Sequence, residues 1–241
     1  MSDTGFKSQA RSVQIRTGRV TLDGDLMVPA GAWGIVLFAH GSGSSRHSRR
    51  NRRVAEQLQR AGLATLLFDL LTAGEEVLDA ATAELRFNIA LLADRLALAT
   101  DWLASQPEVR ALPVGYFGAS TGGAAALVAS VLRPQSVKAV VSRGGRPDLA
   151  GIYLPRVKAP TLLIVGGHDT TVIALNRQAL DLLQPRVKQL MIVPGAGHLF
   201  EEPGTLDQVA ELARDWFERF LCSPSSEQGR ESRPAAKGLS A

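Results

Sequence analysis

Two kinds of hydrophobic pattern alternate along this chain. Short runs dominated by apolar residues occur at Gly34–Ala39, Leu63–Phe68, Pro113–Phe117, Val137–Val141, Thr161–Val165 and Val187–Val193. Runs of this length and composition predict strands buried on both faces of a mainly parallel sheet. Between them, apolar positions recur at helical spacing. Val54, Leu58 and Ala61 follow Asn51 and stop at Gly62, and Leu85, Ile89, Leu92, Leu96 and Leu103 lie along one face of Glu84–Ser105. Gly123–Ala129 is small and helix-prone, Ile173–Leu183 is helical, and Leu206, Val209, Leu212, Ala213, Trp216, Phe217 and Phe220 mark an amphipathic closing helix. Ahead of all these, Val13–Arg16 and Val20–Asp23 alternate apolar and polar about Thr17-Gly18, which predicts an edge hairpin.

This alternation predicts an α/β fold with one mainly parallel sheet and helices on both faces. No linker or repeat divides residues 13–221, so they read as one domain. Residues 1–12 read as a flexible arm, and 222–241, rich in Ser, Glu, Gly, Arg and Pro, as a disordered tail. Residues 70–83 read as a loop, and 142–158 are too few for a lid domain.

The stretch around which the rest is organised is Gly118-Ala119-Ser120-Thr121-Gly122. It lies between a predicted strand and a predicted helix, the setting of a nucleophile elbow. Glycines two residues either side of the serine remove the Cβ atoms that so tight a turn would crowd. In a parallel sheet, functional groups gather at the carboxyl ends of strands. Three further loops start there: His40-Gly41-Ser42-Gly43-Ser44-Ser45, Gly166-Gly167-His168-Asp169 and Pro194-Gly195-Ala196-Gly197-His198. The first is neither a Walker loop nor a dinucleotide fingerprint, because no Gly-Lys-Ser/Thr follows and Arg46 stands where the third glycine would be.

The order Ser120, Asp169, His198 suits acyl transfer. A serine hydroxyl needs a base to take its proton, which His198 can supply and later return. Asp169 would orient the imidazole. The oxyanion would take the backbone N–H of Thr121 and one from the first loop, Ser42 being the candidate, with Gly41 lining the same approach. The alternatives are specific. Asp169 could instead cap the helix that follows it, or do both. His168 competes for the base role, and Asp69 and Asp148 are strand-end rivals for the acid. His40 reads as ordering its own loop, His47 as a surface residue, and Cys222 as too far from any strand end to act as a nucleophile.

Composition narrows the classes. There are 241 residues, 45% hydrophobic and 21% charged, with a net charge of +4 and a single cysteine. Nothing resembles a membrane span, a signal peptide or a zinc-ligand spacing, so the expectation is a cytoplasmic protein without metal, cofactor, membrane or nucleic-acid partner. Arg46, Arg49, Arg50, Arg52 and Arg53 crowd one segment, and Arg143 and Arg146 another. They read either as solvated surface or as a basic rim for an anionic substrate. Arg143 and Arg146 are the candidates for holding a substrate carboxylate.

The quoted motifs, together with Gly197-His198, resemble the α/β-hydrolase superfamily and, within it, the dienelactone-hydrolase-like group. The resemblance covers about residues 13–221. It implies an α/β-hydrolase fold without a lid and a Ser-His-Asp hydrolase acting on a small ester or lactone. Dienelactone hydrolases themselves use a cysteine where this chain has Ser120, which favours a serine esterase. Ser44–Ser48, Ser142–Asp148 and His198–Pro203 are similar to a bacterial subgroup whose members sometimes carry a fused phosphoribosyltransferase domain. Acyl transfer or perhydrolysis on the same site, and a catalytically silent binding module, are the competing functions. The oligomeric state is not read from the sequence.

Overall fold

A computed structural model of the chain describes residues 10–18 and 20–222. Eight strands form one sheet: β1 (Arg11–Thr17), β2 (Val20–Met27), β3 (Ile35–Ala39), β4 (Ala64–Phe68), β5 (Val114–Ala119), β6 (Val137–Arg143), β7 (Thr161–Gly166) and β8 (Lys188–Val193). Their order is β1-β2-β4-β3-β5-β6-β7-β8. The β1–β2 and β2–β4 pairs are antiparallel and the remaining pairs parallel. Among the described residues six α-helices accompany them: α1 (Arg49–Arg60), α2 (Ala73–Thr82), α3 (Ile89–Leu103), α4 (Thr121–Leu132), α5 (Thr170–Leu182) and α6 (Thr205–Leu221).

The apolar runs become interior strands because both sheet faces are covered. Every residue of β3, β4, β5 and β7 is buried. One core packs α3, α4 and α5 against the sheet, and the other packs α1 and α6. The small side chains of α4 have the same origin. From Thr121 to Ser130 every residue of that helix is buried, so the helix lies close against its neighbours on all sides.

Strand order also locates the site. From β3 the chain moves outward to β4, then crosses back to β5 on the other side of β3. The crevice at such a reversal, above the carboxyl ends of the strands, is where doubly wound sheets bind ligands. Here it falls between the loop after β3 and Ser120 at the end of β5.

Several boundaries differ from the sequence reading. Residues 70–83 are not a loop: they contain α2, started by a capping box in which the Thr72 hydroxyl accepts the Glu75 N–H and the Glu75 carboxylate accepts the Thr72 N–H. This helix exposes Val77, Leu78 and most other positions, so no periodic apolar face announced it. Glu84–Ser105 is not one helix. Leu85–Phe87 is a 3-10 turn, and α3 begins afresh where the Asn88 side chain accepts the Leu91 N–H. Strand β1 begins at Arg11, inside the stretch read as a flexible arm; the rest of that arm, except Ala10, and the tail beyond Cys222 lie outside the described residues. β6 runs on to Arg143, which converts a residue read as part of a loop into a buried strand end. Pro147–Arg156 is 3-10 helix broken at Gly151, not a lid. Among the described residues, no helix is long and apolar enough to cross a membrane.

Candidate active site

Ser120 sits between β5 and α4 with φ 51° and ψ −120°, a left-handed conformation that a side chain rarely adopts. Such a residue stores about 1–3 kcal/mol of strain and persists only where its surroundings hold it. Three backbone hydrogen bonds do so. The Ser120 N–H donates to the Arg143 carbonyl at 3.2 Å, and the Ser120 carbonyl accepts the N–H groups of Gly123 at 3.0 Å and Arg146 at 3.1 Å. A Cβ on Gly118 would lie 2.6 Å from the Cα of Gly123, and one on Gly122 would overlap the carbonyl oxygen of Ala39. Both glycines are therefore required by close backbone approach. The serine occupies the cap position of α4 without a side-chain bond to the helix, so its hydroxyl is not committed to capping.

Asp169 also stands at a cap position, that of α5, and also makes no side-chain cap bond. Its Oδ2 instead lies 2.6 Å from His198 Nδ1. A carboxylate at that distance holds the proton on Nδ1 and leaves Nε2 as the free basic nitrogen. The loop carrying His198 is anchored from below. The Glu202 carboxylate accepts the Gly197 N–H at 2.9 Å, and Phe200, at φ 55°, is buried in the core. Neither anchor was singled out by sequence reasoning, since their signal is a φ value and a backbone contact.

The other candidates are accounted for by their contacts. Asp69 pairs with the Arg46 guanidinium and accepts the Arg46 N–H. Asp148 holds Arg146 in a two-pronged pair at 2.9 and 2.7 Å. Arg146 is thus engaged by its own loop. His168 is exposed, and His47 accepts from Arg52 at 2.7 Å.

His40 does order its loop. Its Nδ1–H donates to the Gly41 carbonyl and its Nε2 accepts the Leu70 N–H, each at 3.0 Å. Burial holds its pKa below the ordinary value of 6.5. The folded protein therefore binds fewer protons than the unfolded chain below pH 6.5, and stability falls with pH from there until His40 itself protonates. We expect the melting temperature to drop on acidification below that value, and the drop to be smaller in His40→Gln. An equal drop in both proteins would show that His40 is not its source.

Ser120, His198, Ser42, Arg50 and Arg143 line one cavity of about 230 Å³. A Cβ on Gly41 would lie 3.0 Å from that of Ser120, so the loop after β3 passes in contact with the serine. A larger cavity, of about 470 Å³, shares Gly41, Ser42, Ser44 and Ser48 with it and reaches Thr121, Leu92 and the Asp79–Arg86 pair. The arginine cluster divides. Arg46, Arg52 and Arg53 pair with Asp69, Asp25 and Asp207 respectively, while Arg50 faces the cavity and bonds Glu201 at 3.0 Å.

Comparisons with known proteins agree with this architecture. The model of the dienelactone hydrolase family matches residues 22–222. A crystal structure of a dienelactone hydrolase from Anabaena variabilis is 63% identical, with a TM-score of 0.86 over 88% of this chain and 98% of that one. A lidless α/β serine hydrolase from Xanthomonas campestris shares the fold at 19% identity, with a TM-score of 0.70 over 90% of this chain and 98% of its own. A Mycobacterium tuberculosis protein provisionally named a phosphoribosyl transferase is 61% identical over 212 residues, 88% of this chain and 47% of its own length. The chain thus spans about half the length of that curated relative. The family match runs from within β2 to the end of α6 and takes in the serine turn and the loops that face it: this α/β-hydrolase chain belongs to the dienelactone hydrolase family.

Proposed function

We propose that the protein hydrolyses a small carboxylic ester or lactone through an acyl-enzyme on Ser120. His198 Nε2 takes the hydroxyl proton as Ser120 Oγ attacks the carbonyl carbon, then returns it to the leaving oxygen. Water reverses the sequence: His198 takes its proton, the hydroxide attacks the acyl carbon, and Ser120 leaves with that proton. Asp169 holds the imidazole in the Nδ1–H tautomer and stabilises its charged form. The oxyanion is received by the N–H of Thr121, at the start of α4 where helix N–H groups lack acceptors, and by that of Ser42. The observation that carries this reading is the 2.6 Å contact between Asp169 and His198 on a cavity whose wall includes Ser120.

The test is covalent. A fluorophosphonate probe is expected to label the protein at Ser120, and short p-nitrophenyl esters to be turned over. Labelling that survives Ser120→Ala, or a folded protein inert to both reagents, would overturn the proposal. The provisional name of the mycobacterial relative adds no second reading, because the matched segment is under half of that protein.

A further inference from the structure

The turn that leaves β6, Arg143-Gly144-Gly145-Arg146, is connected to each of the three residues assigned to the reaction. Ser120 is bonded to both of its ends: the Arg143 carbonyl accepts the Ser120 N–H at 3.2 Å, and the Arg146 N–H donates to the Ser120 carbonyl at 3.1 Å. These bonds hold the backbone from which the nucleophile projects. A Cβ on Gly144 would stand 3.1 Å from the His198 carbonyl oxygen and 3.6 Å from its ring Nδ1 and Cε1. The Gly144 backbone therefore packs against the edge of the imidazole that meets Asp169. Two glycines at its centre leave the turn to be fixed by backbone bonds. The Gly144 N–H donates to the Ile164 carbonyl of β7 at 2.7 Å, and the Gly145 carbonyl accepts the Asn176 Nδ2 amide at 3.0 Å. Asn176 lies about two turns along α5 from Asp169, whose carbonyl accepts the Ile173 N–H at 2.9 Å. One helix thus carries the acid at its start and the clamp on the turn in its middle.

Packing does not explain Asn176. It is fully buried, on the face of α5 that also buries Val172 and Ala179. An apolar side chain would continue that face, and asparagine disfavours helix interiors. The orientation of its amide is set by its partners. Nδ2 donates to the Gly145 carbonyl at 3.0 Å and to the Val172 carbonyl at 2.8 Å, and both of these groups only accept. Its Oδ1 is left buried with no partner among the described residues. A buried carbonyl oxygen without a donor is unfavourable. The residue therefore weakens its own helix at one atom and gains a single contact outside it, the bond to Gly145.

We propose that Asn176 is a positioning residue of the hydrolytic reaction: through Gly145 it fixes the turn that sets Ser120 and His198 at their working separation. The proposal rests on the hydrolase reading above for its chemistry and on the Asn176–Gly145 bond for its geometry. Asn176 lines neither of the two cavities beside Ser120, so it acts through the turn and not on the substrate. Removing its amide changes the alignment of the reacting groups and leaves binding alone. A displacement of about 1 Å between such groups can cost about 10²-fold in rate.

The test measures kcat and KM for p-nitrophenyl butyrate, per titrated active site and well below the melting temperature, in the wild type, Asn176→Leu and Thr100→Val. Thr100→Val is the control, because it removes a buried bond, 2.5 Å to the Tyr116 hydroxyl, that has no connection to the turn. Asn176→Leu should lower kcat by about 10–100-fold with KM within about twofold. Thr100→Val should leave kcat unchanged even where it lowers the melting temperature as much. If Asn176→Leu fails to fold, Asn176→Ala removes the same donor with a smaller side chain and carries the comparison. A second readout needs no turnover. The His198 Nδ1 proton, held by Asp169, gives a downfield proton resonance, and it should exchange with water faster in Asn176→Leu, because Gly144 no longer packs firmly against the ring.

A kcat in Asn176→Leu that falls no further than in Thr100→Val would overturn the positioning role while leaving the hydrolase intact. A change in KM alone would overturn it too, since that would assign Asn176 to binding. If the wild type hydrolyses no ester, the hydrolase reading fails and the proton resonance decides. Faster exchange in Asn176→Leu then keeps Asn176 as the residue that fixes the histidine, and unchanged exchange removes that role as well.

Discussion

Ser120→Ala is expected to lower kcat for a short p-nitrophenyl ester by about 10⁴–10⁶-fold, with the melting temperature nearly unchanged. The activity loss follows from removing the atom that becomes acylated. The stability expectation follows from the structure around it. Ser120 caps α4 without a side-chain bond, so deleting its hydroxyl breaks no capping bond. The backbone strain is retained, because alanine meets the same penalty at φ 51°. His198→Ala should lose about as much as Ser120→Ala, and the double variant little more, since a base without its nucleophile contributes almost nothing. Asp169→Asn should cost about 10⁴-fold, because the amide no longer selects the Nδ1–H tautomer. Rate measurements with titrated active sites check all of these. Additive losses in the double variant would show that the residues do not act as a unit.

Gly122→Ala is expected to destabilise the fold by about 3–5 kcal/mol, or about 6–20 °C in melting temperature at roughly 2–4 °C per kcal/mol. The added Cβ would overlap the carbonyl oxygen of Ala39 and lie 2.6 Å from that of His40. These are backbone atoms at the end of a central strand, and they cannot yield as a flexible side chain would. Gly74→Ala in α2 is the matched control, because nothing lies within 4 Å of its Cβ position. There the change should be neutral or stabilise by about 0.4–1 kcal/mol through reduced freedom of the unfolded chain. Thermal melts of the two variants separate a steric requirement from a general intolerance of losing glycine. Equal melts would contradict the close approach of β3 and α4.

The elements legible in the sequence are those whose burial is nearly complete. β3, β4, β5 and β7 are covered on both faces, so each had to be an uninterrupted apolar run, and each was placed within a residue or two. α6 was equally legible because it buries one face, carrying Val209, Trp216 and Phe217, and exposes the other. α2 failed the same reading for the opposite reason. It buries almost nothing, and its start is written in two polar side chains, Thr72 and Glu75, that satisfy backbone N–H groups. Asn88 likewise divides one apparent helix into a 3-10 turn and α3. Polar caps are short-range signals, and a search for apolar periodicity passes over them.

The site shows the same division. Residue types and chain order determined a serine on a strand-to-helix turn, followed by an acid and a histidine at later strand ends, because a sheet of this kind delivers every such loop to one edge. The amino-acid order alone left open whether Asp169 caps its helix or turns to His198, and which arginine is free. Those choices belong to tertiary structure. Asp169 meets His198 only because the loops after β7 and β8 lie side by side, and Arg146 is engaged because Asp148 sits two residues away on a folded-back turn. Arg143 is left buried and unpaired because β6 runs two residues past its apolar core, drawing a cation into the sheet beside the nucleophile. A sequence specifies which groups a chain possesses; their partners, and hence their charge state and chemistry, depend on distances that only packing sets.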